Sequence, residues 1–544
     1  MKKLLTKKIL LPVFLGVLFM TGSAFKSDFF EIAKQIEIFT TLFKEVNMNY
    51  VDETNPADLM DTAIKSMLQD LDPYTNFYNE QDVEESRINN TGDYTGIGAS
   101  VLTLKDKLVI VEPYKDFPAD KAGLKAGDEI IKVDNTVVAD FNDDAGNLLQ
   151  GAAGTSVAVT YVRQGKTLTA TIQREAVEIH AVPHYSMIDE KIGYVVLRKF
   201  NEKASSETIT AVRALKSQGA KQIVLDLRGN LGGLLNEAVN VTNIFVPQNQ
   251  LVVTTKSKVD KYNKTYYTQK EPIDTEIPVV VLIDGRSASA SEIVAGALQD
   301  LDRAVVVGAR SFGKGLVQRP KELVYGTQMK ITISRYYTPS GRCIQSLDYW
   351  NRDKSGKATR VKKENYTAFK TKRGRTVYDG GGIQPDIELD ITKLSPITSA
   401  IVDENLIFDF ATAYYYSHQV KDLKSFELTD TDFKAFKDFL KDNKFTFETK
   451  TEKAFDDAML VSKEEALDGI IDSQYASLVM ALNAYKTEAI DDNKTQLMGL
   501  LAEEIVKRYF YREGMYTYYI SHNPEIKKGT DILKNPSTYL GHLQ

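Results

Sequence analysis

Four short apolar, β-branched runs punctuate the middle of the chain: Ile192 to Leu197, Ile223 to Arg228, Val279 to Asp284 and Ala304 to Val307. Each reads as a buried strand. Stretches with helical spacing separate them, such as the one in which Ile293, Val294, Ala297 and Leu298 share a face, so the pattern predicts an α/β core over 176–395. Lys330 to Tyr337 adds a further strand. Upstream, Phe30, Ile32, Ile36, Ile38, Leu42 and Phe43 supply one apolar surface, and Leu59, Ala63, Ile64, Met67 and Leu68 another. These predict helix across Asp28 to Asp82, ended by Leu71-Asp72-Pro73-Tyr74, within an N-terminal helical region 28–90. After Pro396 the pattern is again helical, to 544. Ser462 and Glu465 form a capping-box pattern there, and aromatic clusters at Ala411 to Tyr416 and Tyr509 to Tyr511 read as interhelix packing.

Composition narrows the classes. At 544 residues the chain holds two to four domains, and a net charge of −6 implies no general attraction to nucleic acid. The single Cys343 excludes an intrachain disulfide, and five scattered histidines argue against a zinc site, so no metal or cofactor is expected. Cys343 reads as an inert thiol. Lys2, Lys3, Lys7 and Lys8 precede the apolar run Ile9 to Met20 and the small residues Gly22-Ser23-Ala24, which reads as a cleaved export signal over 1–24. An uncleaved anchor is the alternative. Arg352 to Arg375 holds ten Lys/Arg and two acids and reads as a solvated flap, with an anionic partner surface as the sharper alternative.

The candidate chemistry sits at the ends of the strands. Ser287-Ala288-Ser289-Ala290-Ser291-Glu292 lies between a strand and a helix, where a helix N-terminus favours developing negative charge. Serines there can also simply cap the helix. No histidine occurs between Tyr185 and Ser417, whereas Lys314 follows Ser289 by 25 residues, room for one helix and one strand. A lysine made neutral by burial serves as a base, and Gly313 and Gly315 allow it close approach. Lys314, Leu316 and Gln318 alternate, which predicts one strand face with Gln318 orienting the amine. Gly232-Gly233, after the strand ending at Arg228, can present backbone N–H groups to an oxyanion, with the amide of Ala290 as second donor.

Asp226 to Gly233, Ser287 to Asp300 and Phe312 to Gln318 together resemble the carboxyl-terminal processing peptidases, or tail-specific proteases, of serine peptidase family S41. Leu231 stands where that family's loop has proline. The resemblance implies Ser289 as nucleophile, Lys314 as general base, Gln318 as its helper, and a core fold like that of the crotonase and ClpP enzymes. It also implies a periplasmic location.

Thr91 to about Glu175 resembles a PDZ domain, most closely in Pro118 to Ile131. Such a domain adds a peptide as an extra strand and receives its terminal carboxylate in a glycine loop, for which Gly96, Ile97 and Gly98 are the candidates over the domain span 91–175. Substrates with apolar C-termini are implied, together with a homo-oligomer and an adaptor as partners. Two functions stay open at this point: a serine endopeptidase without cofactor, and an inactive peptide-binding scaffold.

Overall fold

The computed structural model describes residues 29–104, 106–141, 144–354, 356–389 and 394–544. The expected export signal at 1–24 lies outside them. The chain divides into two units: residues up to Tyr78 with Pro320–Ile331, and Asn79–Arg319 with Thr332–Gln544.

In the first unit a helix spans 29–49 and a second spans Pro56–Gln69, with Asn55 accepting from the Ala57 amide at its start. The second helix ends just before Leu71-Asp72-Pro73-Tyr74, where the sequence pattern ends it, and helix resumes only at Glu80. Pro73 disfavours helical backbone at Asp72. The Asp72 carboxylate accepts from the amides of Tyr74 and Thr75 and from the Thr75 hydroxyl, turning the chain into the strand Asn76–Tyr78. That strand runs antiparallel to residues 328–330. Phe30, Ile36 and Met48 of the first helix are 69%, 62% and 70% exposed, so its apolar surface lies open.

In the second unit the domain expected to resemble a PDZ domain is a sheet in the order Ala99–Thr103, Leu108–Pro113, Glu129–Val133, Ser156–Arg163, Lys166–Gln173. Leu108, Ile110, Leu124, Ile130, Val157 and Ile172 fill its core. Ala99–Thr103 is an edge strand of this sheet. A separate antiparallel pair, Asp93–Gly96 with Glu175–Glu178, closes the domain at its base.

The α/β core is a six-stranded sheet: His184–Met187, Ile192–Val196, Gln222–Asp226, Val279–Ile283, Val305–Gly308 and Ile387–Glu388, in that order. All neighbours are parallel except the first pair. Alternation sends Val279, Val281 and Ile283 to one face, where Ala204–Ser217, Leu235–Asn243 and Ala290–Asp300 pack, and Val280 and Leu282 to the other. That second face is covered by the C-terminal region through Ile505, Val506, Ile526 and Ile532. The region 396–544 is therefore not only an appended helical domain; its last helices are a layer of the core.

Two further expectations change. Ser462 lies inside the helix Lys450–Glu464 and Glu465 ends it; the capping box of that helix is Thr449 with Glu452. A Thr–Glu pair with the same spacing sits at the start of that helix. The basic segment 352–375 is not wholly a solvated flap. Its chain forms the pairs Leu347–Arg352 with Ala358–Arg360 and Ala368–Lys370 with Thr376–Tyr378. Arg375 is drawn in between Asp302, far upstream in sequence, and Asp386.

Candidate active site

The glycine loop follows the strand Gln222–Asp226. Asp226 is buried, accepts from the Tyr194 hydroxyl at 2.7 Å and pairs with Arg228. Asn230 is fully buried: its side-chain amide donates to the Leu197 carbonyl, and its carbonyl accepts from the Ala288 amide and the Ser291 hydroxyl. This loop is thus stitched to the serine turn. A Cβ on Gly232 (φ 98°) would lie 2.8 Å from Ser289 Cβ and 2.9 Å from the Ala290 nitrogen, so only glycine fits.

The three serines of the turn separate by their partners. Ser287 and Ser291 are fully buried, and their hydroxyls donate to the carbonyls of Leu227 and Asn230. Ser289 is part-exposed at the N-terminus of the helix Ala290–Asp300, with φ 56° and ψ −112°. Such a backbone costs a non-glycine residue about 1–3 kcal/mol and is the geometry by which a strand-to-helix elbow thrusts a nucleophile outward.

Glu292, one turn into that helix, is completely buried and binds four donors. Its Oε2 accepts from the Ser289 and Lys314 amides, at 2.8 and 2.9 Å. Its Oε1 accepts from the Ser311 hydroxyl and the Gly313 amide, at 2.6 and 2.7 Å. Burial pushes the carboxyl up, and the donors offset part of that rise. On the carbonyl side, the buried Tyr336 hydroxyl bridges the carbonyls of Ser289 and Lys314.

Lys314 is part-buried in a loop before the strand Leu316–Glu322, not in the strand as its alternation with Leu316 and Gln318 predicts. The flanking glycines are sterically required: a Cβ on Gly313 would lie 2.4 Å from the Ser346 side chain and one on Gly315 2.8 Å from the Gln345 nitrogen. Gln318 is in the strand, and its amide donates to Thr332 Oγ1 at 3.1 Å. It lines a cleft of about 550 Å³ with Leu234, Leu235, Tyr262, Tyr266 and Val317.

The oxyanion candidates need one correction. The Gly232 amide donates to Asn230 Oδ1 at 2.8 Å and is occupied. Among the described residues the amides of Gly233 and Ala290 have no such partner. Glu292 and Tyr336 carried no role in the sequence reading. The Ser289-to-Glu292 spacing of a capping box was the signal for the first; nothing local marks the second.

At the PDZ domain the carbonyls of Ile97 and Gly98 accept from the amides of Ala119 and Tyr114, which pins the loop Gly96-Ile97-Gly98. Ile97 lines a groove of about 660 Å³ with Ala99, Val101 and Leu149, along the edge strand. One surface group elsewhere could hold a metal ion, Glu178, His180 and Glu207, but Lys203 and the Val182 amide already engage its carboxylates. Among the described residues no helix is long and apolar enough to cross a membrane.

A helix-tip serine, a glycine loop against it and a tail-binding module in front of an α/β core are the parts of a serine protease that engages protein tails. The family model of peptidase family S41 matches residues 191–348, a PDZ model 95–173, and a model described as the C-terminal helical domain of probable PDZ-proteases 397–533. The chain is 36% identical over 321 residues to a carboxy-terminal-processing protease of Bartonella bacilliformis, covering 58% of this chain and 73% of that one. It is 33% identical over 305 residues to the carboxy-terminal processing protease CtpA of Bacillus subtilis, covering 56% and 65%. Among solved structures, a photosystem II D1 C-terminal processing protease aligns at 29% identity over 65% of this chain and 92% of that one, with TM-score 0.36. The peptide-bound PDZ domain of a carboxy-terminal protease from Vibrio cholerae aligns at 27% identity over 16% and 98%, with TM-score 0.15. The chain belongs to peptidase family S41, as a carboxy-terminal processing serine protease with a PDZ domain.

Proposed function

We propose that this chain is an exported endopeptidase that captures apolar C-terminal tails at its PDZ groove and cleaves by a Ser289–Lys314 acyl-enzyme mechanism. The observation that carries the reading is the strained Ser289 held, through one carboxylate oxygen, in register with the loop of Lys314. Ser289 Oγ attacks the scissile carbonyl carbon and its proton passes to Lys314 Nζ. The amides of Gly233 and Ala290 bind the oxyanion that forms. Collapse breaks the C–N bond, Lys314 protonates the leaving amine, and a water activated by the same lysine releases the acyl group. Gln318, beside the cleft, helps to position substrate and base.

The basic and apolar segments of residues 1–24 support action in the periplasm. The open apolar surface of helix 29–49 supports assembly of several copies.

The test uses an unfolded reporter with an apolar C-terminal tail and the purified mature chain. Cleavage by the parent, with none by Ser289→Ala or Lys314→Ala, is expected. Equal cleavage by Ser289→Ala would overturn the mechanism, and cleavage indifferent to the tail would remove the PDZ domain from recognition.

A further inference from the structure

The helix Glu80–Thr91 has no fully buried residue, although it forms one wall of the PDZ groove. Gln81, Glu84, Glu85 and Ile88 line that groove and stand at helical positions i, i+3, i+4 and i+7, a single stripe. On a helix packed against a core this stripe is apolar. Here it is polar and acidic, so it faces something other than core.

The rest of the wall agrees in sign. Among the described residues lining the groove, Glu80, Asp82, Glu84, Glu85 and Asp144 are acids and none is basic. Some of this charge has local partners: Glu84 pairs with Arg87, and Asp82 caps its own helix. Glu80 and Glu85 are exposed and, among the described residues, form no salt bridge, although Lys199 lies close enough to Glu85 to interact with its charge. Asp144 accepts from Thr103 Oγ1 at 2.7 Å, which places a carboxylate at the far end of the edge strand Ala99–Thr103. The apolar floor, Ile97, Val101 and Leu149, lies in the same groove.

A tail added to that strand, with its terminal carboxylate at the Gly96–Gly98 loop, runs from the apolar floor toward Thr103 and Asp144. We propose that the groove selects C-terminal tails in which an apolar end is preceded by lysine or arginine. The proposal rests on the PDZ groove being the tail site and names its substrate class. The acids oppose a second negative charge upstream, so they act by excluding acidic tails as well as by attracting basic ones.

The experiment measures tail binding by fluorescence anisotropy on the full mature chain carrying Ser289→Ala, which prevents turnover. Labelled peptides share one apolar C-terminus and carry lysines, glutamines or glutamates upstream; a fourth repeats the lysine peptide with an amidated end. The lysine tail is expected to bind about fivefold tighter than the glutamine tail, and the glutamate tail about fivefold weaker, a spread of the size exposed charge pairs give. The spread should shrink at about 0.5 M salt and in the added double variant Glu80→Gln, Glu85→Gln. Equal affinity for lysine, glutamine and glutamate tails, with the free carboxylate still required, would overturn the charge selection and leave tail capture standing. Equal affinity for amidated and free tails would overturn tail capture itself.

Discussion

Ser289 and Lys314 donate their backbone amides to the same oxygen of Glu292, at 2.8 and 2.9 Å, and their carbonyls meet at the hydroxyl of Tyr336. Two buried side chains thus hold both sides of the two segments that carry the chemistry. The segments of the nucleophile and the base are aligned with each other through the main chain.

Glu292→Gln replaces one acceptor oxygen by a donor facing two amides. The chain should remain folded, as judged by circular dichroism, while kcat falls about 100-fold with KM little changed, since small misplacements of reacting groups have costs of that size. Tyr336→Phe removes only the carbonyl contacts and should cost less, about tenfold in kcat. Unchanged kcat in both variants would show that the loops hold their register without these links.

Gly232→Ala puts a Cβ 2.8 Å from Ser289 Cβ at a φ of 98°. Cleavage should fall by at least about 100-fold, in line with loss of oxyanion geometry, whereas Gly154→Ala, also at positive φ but with open space around it, should keep activity. Reporter cleavage by the two variants side by side is the check.

Tyr511 interrupts its long helix with φ 57° and ψ −167°, and its hydroxyl donates to Asp120 of the PDZ domain at 2.8 Å; Arg512 pairs beside it with Glu112. A strained residue persists where its surroundings repay it. Tyr511→Phe combined with Arg512→Ala should loosen the PDZ domain, read as faster hydrogen exchange in Asp93–Gly96 and Glu175–Glu178 with exchange in Val279–Ile283 unchanged. Equal exchange everywhere would mean that the base strands alone hold the domain.

His184 lies on the core's edge strand, stacked on Tyr516 of the C-terminal layer, and burial lowers its pKa to about 4. An unfolded histidine takes up its proton near pH 6.5. Stability from this residue is therefore complete above about pH 6.5 and is lost as pH falls toward 4, by up to about 3 kcal/mol before screening. Thermal melts of the parent across that window should decline more steeply than those of His184→Phe. Parallel curves would show that His184 does not contribute.

The parallel strands, the serine turn, the glycine loop and the PDZ phrase were legible in the chain because each is local: β-branched runs, small hydroxyl residues between a strand and a helix, and paired glycines at a strand end. The three serines of the turn looked alike in sequence. The family resemblance singles out Ser289, and the folded loop separates the three by giving Ser287 and Ser291 buried carbonyl partners.

What the sequence by itself determined is the set of local conformations and the residue types available at the strand ends. Tertiary structure decided everything that depends on long-range pairing. It tied Asn230 to Leu197 and to the serine turn, drew Arg375 onto the distant Asp302, and laid the C-terminal helices on the second face of the sheet through Ile505 and Ile526. It also turned Glu292 from a helix cap into the joint between nucleophile and base. The reason is physical: a buried hydrogen-bonding group must find a partner wherever the fold supplies one, and no spacing along the chain records where that is.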